Sequence, residues 1–118
     1  MLTRRTLLLA STAGAAALAL AGKTALAQTG TRPYIPLISK GFQHQFWQAV
    51  RTGAERAATE FDVEVTFEGP DNESQVDRQI DMLAAALAKN PAAIGFAALD
   101  SQAAIPLLRQ AQAAGIPV

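Results

Sequence analysis

The sequence of 118 residues contains no cysteine. This absence excludes disulfide bonds, thiolate metal ligands and cysteine nucleophiles. It also excludes a lipoprotein anchor, because that anchor is attached to a cysteine at the cleavage site. Histidine occurs only once, as His44, and a single imidazole is a poor basis for a metal site or a catalytic triad. We therefore predict no cofactor and no metal, and we interpret His44 from the residues alone as a hydrogen-bonding residue of a loop.

An excess of charge of either sign is also missing, since ten Lys and Arg residues balance ten Asp and Glu residues. Residues 28–118 keep all ten acidic side chains and seven basic ones, which gives a net charge of about −3. A nucleic-acid surface requires clustered Lys and Arg, so we expect no nucleic-acid partner.

The chain also lacks a hydrophobic run that is clearly long enough to span a membrane. The longest uncharged stretch, residues 6–22, has 17 residues and contains much Ala and Gly, which makes it marginal for a membrane span. Arg4 and Arg5 precede it and an A-x-A motif at residues 25–27 follows it, which is the layout of an export signal peptide. We predict that residues 1–27 are this signal and that the remainder is periplasmic. The paired arginines resemble a twin-arginine signal, and they also suit an ordinary secretory signal.

Apolar runs alternate with amphipathic segments along residues 28–118. Strand patterns cover residues 34–38, 63–67 and 93–99, and residues 116–118 begin a fourth. Helical spacing follows each of the first three strands, over residues 46–61, from about 76 to 90, and from about 103 to 114. This β-α-β-α-β-α-β order predicts an α/β fold with an open parallel sheet and helices on both faces.

Two positions in the first strand and helix bear on how these elements pack. Pro36 lies inside the first strand, where proline cannot donate to a sheet ladder. We expect either that the strand starts at Leu37 or that the ladder is broken at Pro36. Gly53 lies near the apolar side of the first helix, and we expect it to allow a close approach to the sheet.

Polar and aromatic residues follow the strands, where open parallel sheets bind ligands. In a sheet ordered 2-1-3, three loops lie side by side, at residues 39–47, 68–75 and 100–101. A carboxylate such as Asp100 can accept two sugar hydroxyls, and an aromatic ring can stack on the C–H face of a sugar. Phe46 or Trp47, with Trp47 favoured, would form half of a carbohydrate site with Asp100. The alternatives are that the rings belong to the core and that Asp100 caps a helix.

Six stretches of residues 28–118 match one known family in the order that the family has. They are Ile38-Ser39-Lys40-Gly41 to Phe46-Trp47, Gly53-Ala54, Glu68-Gly69-Pro70, Gln79 to Leu83, Ala97 to Ser101, and Gly115 to Val118. With these stretches the chain resembles the periplasmic substrate-binding proteins of sugar-type ABC transporters, the ribose-binding-protein-like group.

The resemblance implies a type I periplasmic-binding-protein fold, in which two lobes close over a ligand by hinge motion. It implies that the aromatic pair, Phe46 and Trp47, stacks on the sugar. It also implies that His44 and Asp100 contact the sugar and, more loosely, that Ser39 does. The implied partners are a small sugar and the membrane permease of an ABC-type importer, and no enzymatic activity is implied.

The family is longer than this chain, whose sequence stops where the fourth strand of the family should continue. We therefore expect residues 28–118 to be the first part of lobe one, a fragment that by itself binds sugar weakly or not at all. The alternatives to transport are a periplasmic sensory module that feeds a chemoreceptor or kinase, the ligand domain of a sugar-responsive repressor, and a small Rossmann-like enzyme. The export signal disfavours the repressor, and the missing glycine fingerprint and catalytic set disfavour the enzyme.

Overall fold

Three parallel strands and three helices alternate along the chain in a computed structural model that describes residues 31–118. The elements are β1 (Tyr34–Ile38), α1 (Gln45–Phe61), β2 (Glu64–Glu68), α2 (Val76–Ala88), β3 (Gly95–Phe96) and α3 (Ile105–Ala113). The sheet order is β2-β1-β3, and β1 pairs in parallel with both neighbours. The predicted α/β class, the parallel pairing and the 2-1-3 order are confirmed. The predicted signal peptide at residues 1–27 lies outside the described residues.

Helices lie on both faces of the sheet because the chain reverses its direction across the sheet after β2. Right-handed crossovers then place α1 on one face, and α2 and α3 on the other. Consistent with this, α1 packs against β2, whereas α2 packs against β1 and α3. The buried apolar core is drawn mainly from β1, α2, α3 and their loops; its members are Ile38, Leu83, Ala86, Ile94, Ala104, Ala111 and Ile116.

Pro36 lies in the middle of β1, which is the central strand, and β1 starts at Tyr34 rather than at Leu37. The carbonyls of Tyr34 and Ile38 both accept hydrogen bonds from the β3 side, and the period of two puts Pro36 on that side as well. The ladder with β3 begins only at Leu37. The N–H that proline lacks is therefore on the side where the ladder has not yet begun, and the ladder with β2 runs through unbroken.

The predicted third strand is much longer than the observed β3. Backbone hydrogen bonding to β1 ends near Ala97, whose N–H donates to the carbonyl of Ile38 at 3.0 Å. After that point the N–H of Leu99 bonds to a side chain of α2 instead of to a strand. The predicted fourth strand is not formed as a strand within residues 31–118. Even so, the carbonyl of Pro117 accepts from the N–H of Ile94 at 2.9 Å, which places this segment beside β3.

Gly53 is exposed, and a Cβ built on it would meet no atom within 4 Å. The expectation that it allows close approach to the sheet is wrong. The half-buried stripe of α1 is formed by Ala54, Ala57 and Ala58, and Gly53 lies about 100° away from Ala54 around the helix axis. None of the 17 residues of α1, all within the described range, is fully buried.

Gly115 ends α3 in the left-handed conformation, with φ of 72°. The N–H of Gly115 bonds to the carbonyl of Gln112, and the N–H of Ile116 bonds to that of Ala111, which together form a Schellman motif. Throughout residues 31–118, no helix combines the length and the apolar character that a membrane crossing requires.

Candidate functional site at the carboxyl edge of the sheet

Ser39, at the end of β1, is directed into the protein and joins β1 to β2. It is 2% exposed, and its N–H donates to the carbonyl of Glu68 at 2.8 Å. Its hydroxyl donates to the same carbonyl at 3.1 Å and approaches the carbonyl of Gly41 at 3.4 Å. The structure therefore gives Ser39 a structural role, and the predicted contact with a ligand stays a prediction.

Gly69 makes this position of Ser39 possible. A Cβ built on Gly69 would lie 2.2 Å from the hydroxyl oxygen of Ser39, closer than any real contact. While the Ser39 hydroxyl holds this position, residue 69 must therefore have no side chain. The two loops are joined again by the N–H of Phe42, which donates to the carbonyl of Pro70 at 3.0 Å.

The loop after β1 is also attached to the helix that follows it. The side-chain amide of Gln48 donates to the carbonyl of Phe42. The guanidinium of Arg51 lies 5.6 Å from the centre of the Phe42 ring, and that ring lies 6.4 Å from the ring of Phe67. These contacts fix the direction in which α1 leaves the sheet.

His44 is the N-cap of α1. Its ring Nδ1 accepts a hydrogen bond from the N–H of Phe46 at 3.2 Å, which satisfies one of the free donors of the first helical turn. The interpretation of His44 as a hydrogen-bonding residue of the loop is confirmed. Its predicted contact with a ligand stays a prediction, and the exposed position of the ring leaves Nε2 accessible.

Phe46 and Trp47 point in different directions from the first turn of α1. Their rings meet edge to face with centroids 4.9 Å apart and an interplanar angle of 81°. Phe46 is 59% exposed, whereas Trp47 is half-buried. Trp47 lines a groove of about 210 Å³ between α1 and the sheet, together with Ser39, Val50 and Ala97 among others. Phe46 is thus the more accessible ring, although the sequence favoured Trp47.

Asp100 follows β3 and begins a turn that leads into α3. Its Oδ1 accepts hydrogen bonds from the N–H groups of Gln102 at 2.8 Å and Ala103 at 2.7 Å. These bonds lower the pKa of Asp100 below its ordinary value of 3.8, and the N–H of Gln102 contributes more than the N–H of Ala103. The carboxylate is therefore charged near neutral pH. Asp100 closes a turn ahead of α3, whose N-cap is Ala104 without a side-chain bond, so the interpretation of Asp100 as a helix cap is wrong. Both bonds fall on one oxygen, so the other remains for solvent or a ligand.

Gln79 on α2 is a residue of this edge that the sequence analysis did not select. It is 1% exposed, and its side-chain amide bonds to Ser39, Ala97 and Leu99. A signal was present, because Gln79 lies four residues before Leu83 and so on the apolar face of the predicted helix. A polar side chain on a buried face needs hydrogen-bond partners.

The edge contains no arrangement that would hold a metal. Within residues 31–118, no three His, Asp or Glu side chains are grouped for coordination. The three loops present an aromatic pair, a charged carboxylate and several backbone groups, and this set can bind a small polar molecule that has an apolar face.

Comparison with known proteins relates this arrangement to a family. A family profile described as a periplasmic binding protein domain matches residues 35–118. No curated protein sequence matches the chain.

Solved structures resemble the chain over most of its length. A Brachyspira murdochii protein named as an ABC transporter, LacI family transcriptional regulator is 42% identical, with a TM-score of 0.67 over 72% of this chain and 26% of its own. An Agrobacterium vitis ABC transporter solute-binding protein with bound D-fucose is 35% identical, with a TM-score of 0.68 over 72% and 30%. An Agrobacterium radiobacter carbohydrate transporter solute-binding protein in complex with D-arabinose is 31% identical, with a TM-score of 0.68 over 73% and 29%. The chain thus spans less than a third of the length of each.

Proposed function

Because the chain belongs to the periplasmic binding protein domain family, we propose that it forms one side of a cleft that captures a small sugar. The observation that carries this proposal is the aromatic pair at the carboxyl edge of a parallel sheet, in which Phe46 is exposed and Trp47 half-buried. Asp100 follows the neighbouring strand at the same edge. Two solved relatives have D-fucose and D-arabinose bound, which supports a sugar as the ligand class.

Each group at this edge suits one feature of a sugar. The exposed ring of Phe46 offers an apolar face for the C–H groups of the ligand, with Trp47 behind it. The Oδ2 atom of Asp100 is the oxygen that can accept a sugar hydroxyl, and a charged acceptor makes a stronger hydrogen bond than a neutral one. His44 can donate from Nε2, because its Nδ1 accepts the capping bond from Phe46. Ser39 contributes by shaping the loop.

The wider role that we propose is delivery of the captured sugar to the permease of an ABC-type importer. The names of the solved relatives as transporter solute-binding proteins support this role, as does the predicted export signal at residues 1–27. The proposed location is the periplasm. The proposed activity is binding without catalysis.

An NMR titration of the chain with D-fucose and D-arabinose tests this proposal. Trp47 is the only tryptophan, so its indole N–H gives a single unambiguous signal beside the proposed site. We expect this signal and the amide of Asp100 to shift with either sugar. The affinity should be weak, about millimolar, because the chain spans only part of the length of its relatives and surrounds only part of a ligand.

A pair of phenylalanine variants on α1 provides the matched control. Phe46 and Phe61 are both exposed, at opposite ends of the same helix. Phe46→Ala should weaken binding by about 1–3 kcal/mol, the scale of one lost ring contact, whereas Phe61→Ala should leave binding unchanged. Equal effects of the two variants, or no shift at the edge with either sugar, would contradict the proposal.

A further inference from the structure

Gln79 joins the ends of β1 and β3 through a buried side-chain amide. Its Nε2 donates to the carbonyl oxygens of Ser39 at 2.8 Å and Ala97 at 2.9 Å. Its Oε1 accepts from the N–H of Leu99 at 2.9 Å. Both amide hydrogens and the amide oxygen are therefore engaged, and all three partners are backbone groups at the carboxyl edge.

These bonds begin where the backbone ladder between β1 and β3 stops. The N–H of Ala97 donates to the carbonyl of Ile38, and the N–H of Ser39, which alternation places on the other side of the strand, donates to Glu68 of β2. At this point the carbonyls of Ser39 and Ala97 face the same side chain, and two carbonyls cannot hydrogen-bond to each other. The amide of Gln79 supplies a donor to each, so it continues the connection between the strands by one further step.

Glutamine is suited to this position because its planar amide carries two donors and one acceptor. An ionised glutamate has no donor, and methionine, which has a similar length, offers neither donor nor acceptor of comparable strength. Methionine at position 79 would leave three backbone groups of the edge without their partner, and glutamate would leave two, the carbonyls of Ser39 and Ala97. The cost of unpaired groups in a buried setting exceeds the net gain of the hydrogen bonds themselves.

We propose that Gln79 is a positioning residue of the candidate site. It fixes the separation between two loops of the site. One loop begins at Ser39 and carries Phe46 and Trp47, and the other carries Asp100 directly after Leu99. The effect on a ligand rests on the proposed function, whereas the coupling of the two loops is a property of the fold. The two parts can therefore fail separately.

Amide hydrogen exchange, followed by NMR on the full chain, tests the coupling without any ligand. In Gln79→Met, the Leu99 amide should exchange about tenfold faster than in the control, which is the factor that corresponds to one lost hydrogen bond. The control is Ala86→Gly, which lowers the stability of the same helix at a buried position about two turns after Gln79. The Leu83 amide inside α2 should change equally in both variants. A uniform increase at both amides in Gln79→Met would reduce Gln79 to a core residue and overturn the proposal.

Two further measurements keep the proposal testable if Gln79→Met does not fold. Gln79→Asn keeps the amide but is one methylene shorter, so it should give the same local pattern at Leu99. In the unmodified chain, the side-chain amide hydrogens of Gln79 should exchange as slowly as the Leu99 amide, since one opening event exposes them. Exchange as fast as that of the exposed Gln110 side chain would overturn the proposal.

The ligand part is tested with D-fucose by the titration described above. In Gln79→Asn or Gln79→Met, the initial slope of the Trp47 shift against sugar concentration should fall about tenfold, because loops that are no longer fixed must be ordered on binding. An unchanged slope beside faster exchange at Leu99 would show that the loops are coupled without consequence for binding, and would overturn the positioning role. If the unmodified chain shows no shift at all, the proposed function fails, and the exchange data still decide the coupling.

Discussion

Asp100 illustrates how one side chain at the carboxyl edge can combine a structural role with the binding role that we propose for it. Its Oδ1 closes the turn before α3 by accepting from two backbone N–H groups, and its Oδ2 is directed away from those bonds. A sequence can identify such a carboxylate, but it does not reveal how many of its oxygens are already engaged. Asp100 was predicted either to cap a helix or to bind a ligand; it closes the turn before α3 instead of capping the helix, and its contact with a ligand stays a prediction.

The charge of Asp100 leads to a prediction about pH. The backbone N–H groups of Gln102 and Ala103 lower the pKa of Asp100 in the folded state, so its contribution to stability is present above the unfolded value, near 3.8. That contribution is lost as the pH falls through the lower, folded pKa. In urea unfolding, the chain should be more stable than Asp100→Asn at neutral pH. The difference in stability should shrink once the pH falls below the pKa of a free aspartate. A difference that stays constant across this range would contradict the role of the charge.

At the residue scale, the sequence indicated the candidate binding residues better than it indicated the residues that hold them in place. Phe46, Trp47 and Asp100 were selected because their residue types and their places after strands suit a ligand. Gln79 and Gly69 were missed as supports of the site, because their roles depend on contacts between segments that are distant in sequence. Spacing along one helix reports which face a residue occupies, but it does not report what that face touches.

The α1 helix is secured mainly at its ends. His44 caps its beginning, Asp62 ends it in the left-handed conformation, and no residue within it is fully buried. Gln48 and Arg51 hold the first turns to the loop through Phe42. The helix that carries the aromatic pair is therefore attached to the site loop more firmly than to the sheet along the rest of its length.

This description of α1 predicts opposite effects of the same substitution at two glycines. Gly53 is exposed in the helix interior and has open space around it, so Gly53→Ala should raise the free energy of unfolding by about 1 kcal/mol through helix propensity. Gly115 also has open space, but its φ is 72°, so Gly115→Ala should lower it by about 1 kcal/mol through backbone strain. Chemical denaturation of the two variants measures both effects. A loss of stability in Gly53→Ala would mean that α1 approaches the sheet more closely than described.

Element types were predictable from β1 to α3, but the extent of β3 and the absence of a fourth strand from the described residues were not. The alternation of apolar runs and helical spacing indicated β1, α1, β2, α2 and α3 within a few residues of their observed bounds. The third strand was predicted as residues 93–99, since an apolar run does not reveal where hydrogen bonding to the neighbouring strand ends. Pro36 was a difficulty only because the side of β1 that its nitrogen faces cannot be known before the sheet order is known.

For the molecule as a whole, the parallel α/β architecture and the sheet order were both accessible from sequence. The order β-α-β-α-β-α and the rule of right-handed crossovers restrict the arrangement to very few topologies. The sequence analysis considered the 2-1-3 order, which brings the aromatic pair and Asp100 to one edge, and the sheet has that order. The sequence did not predict the hydrogen bonds that join the three loops.

Export of the whole chain is a prediction that the N-terminal sequence makes. When the gene is expressed in a bacterium with both export routes, the secreted product should begin at Gln28, as found by N-terminal sequencing of the periplasmic fraction. Replacement of both Arg4 and Arg5 by lysine removes the arginine pair but keeps the positive charge. It should therefore block a twin-arginine route and leave a general secretory route working. A product that stays in the cytoplasm with Met1 intact before any substitution would contradict the predicted signal.

The hydroxyl of Ser39 occupies the space that a side chain at position 69 would need. We therefore expect residues 39 and 69 to vary together in evolution, although they are distant in sequence. A side chain at position 69 would require the Ser39 hydroxyl to rotate out of that space and give up its bond to the carbonyl of Glu68, so a change at position 69 is tolerated better beside alanine or glycine at position 39. We therefore expect a lineage to change this pair more readily in one order, with position 39 changing first. Descendants that have lost the glycine should have lost the serine as well, and the pair should vary together wherever this edge is preserved.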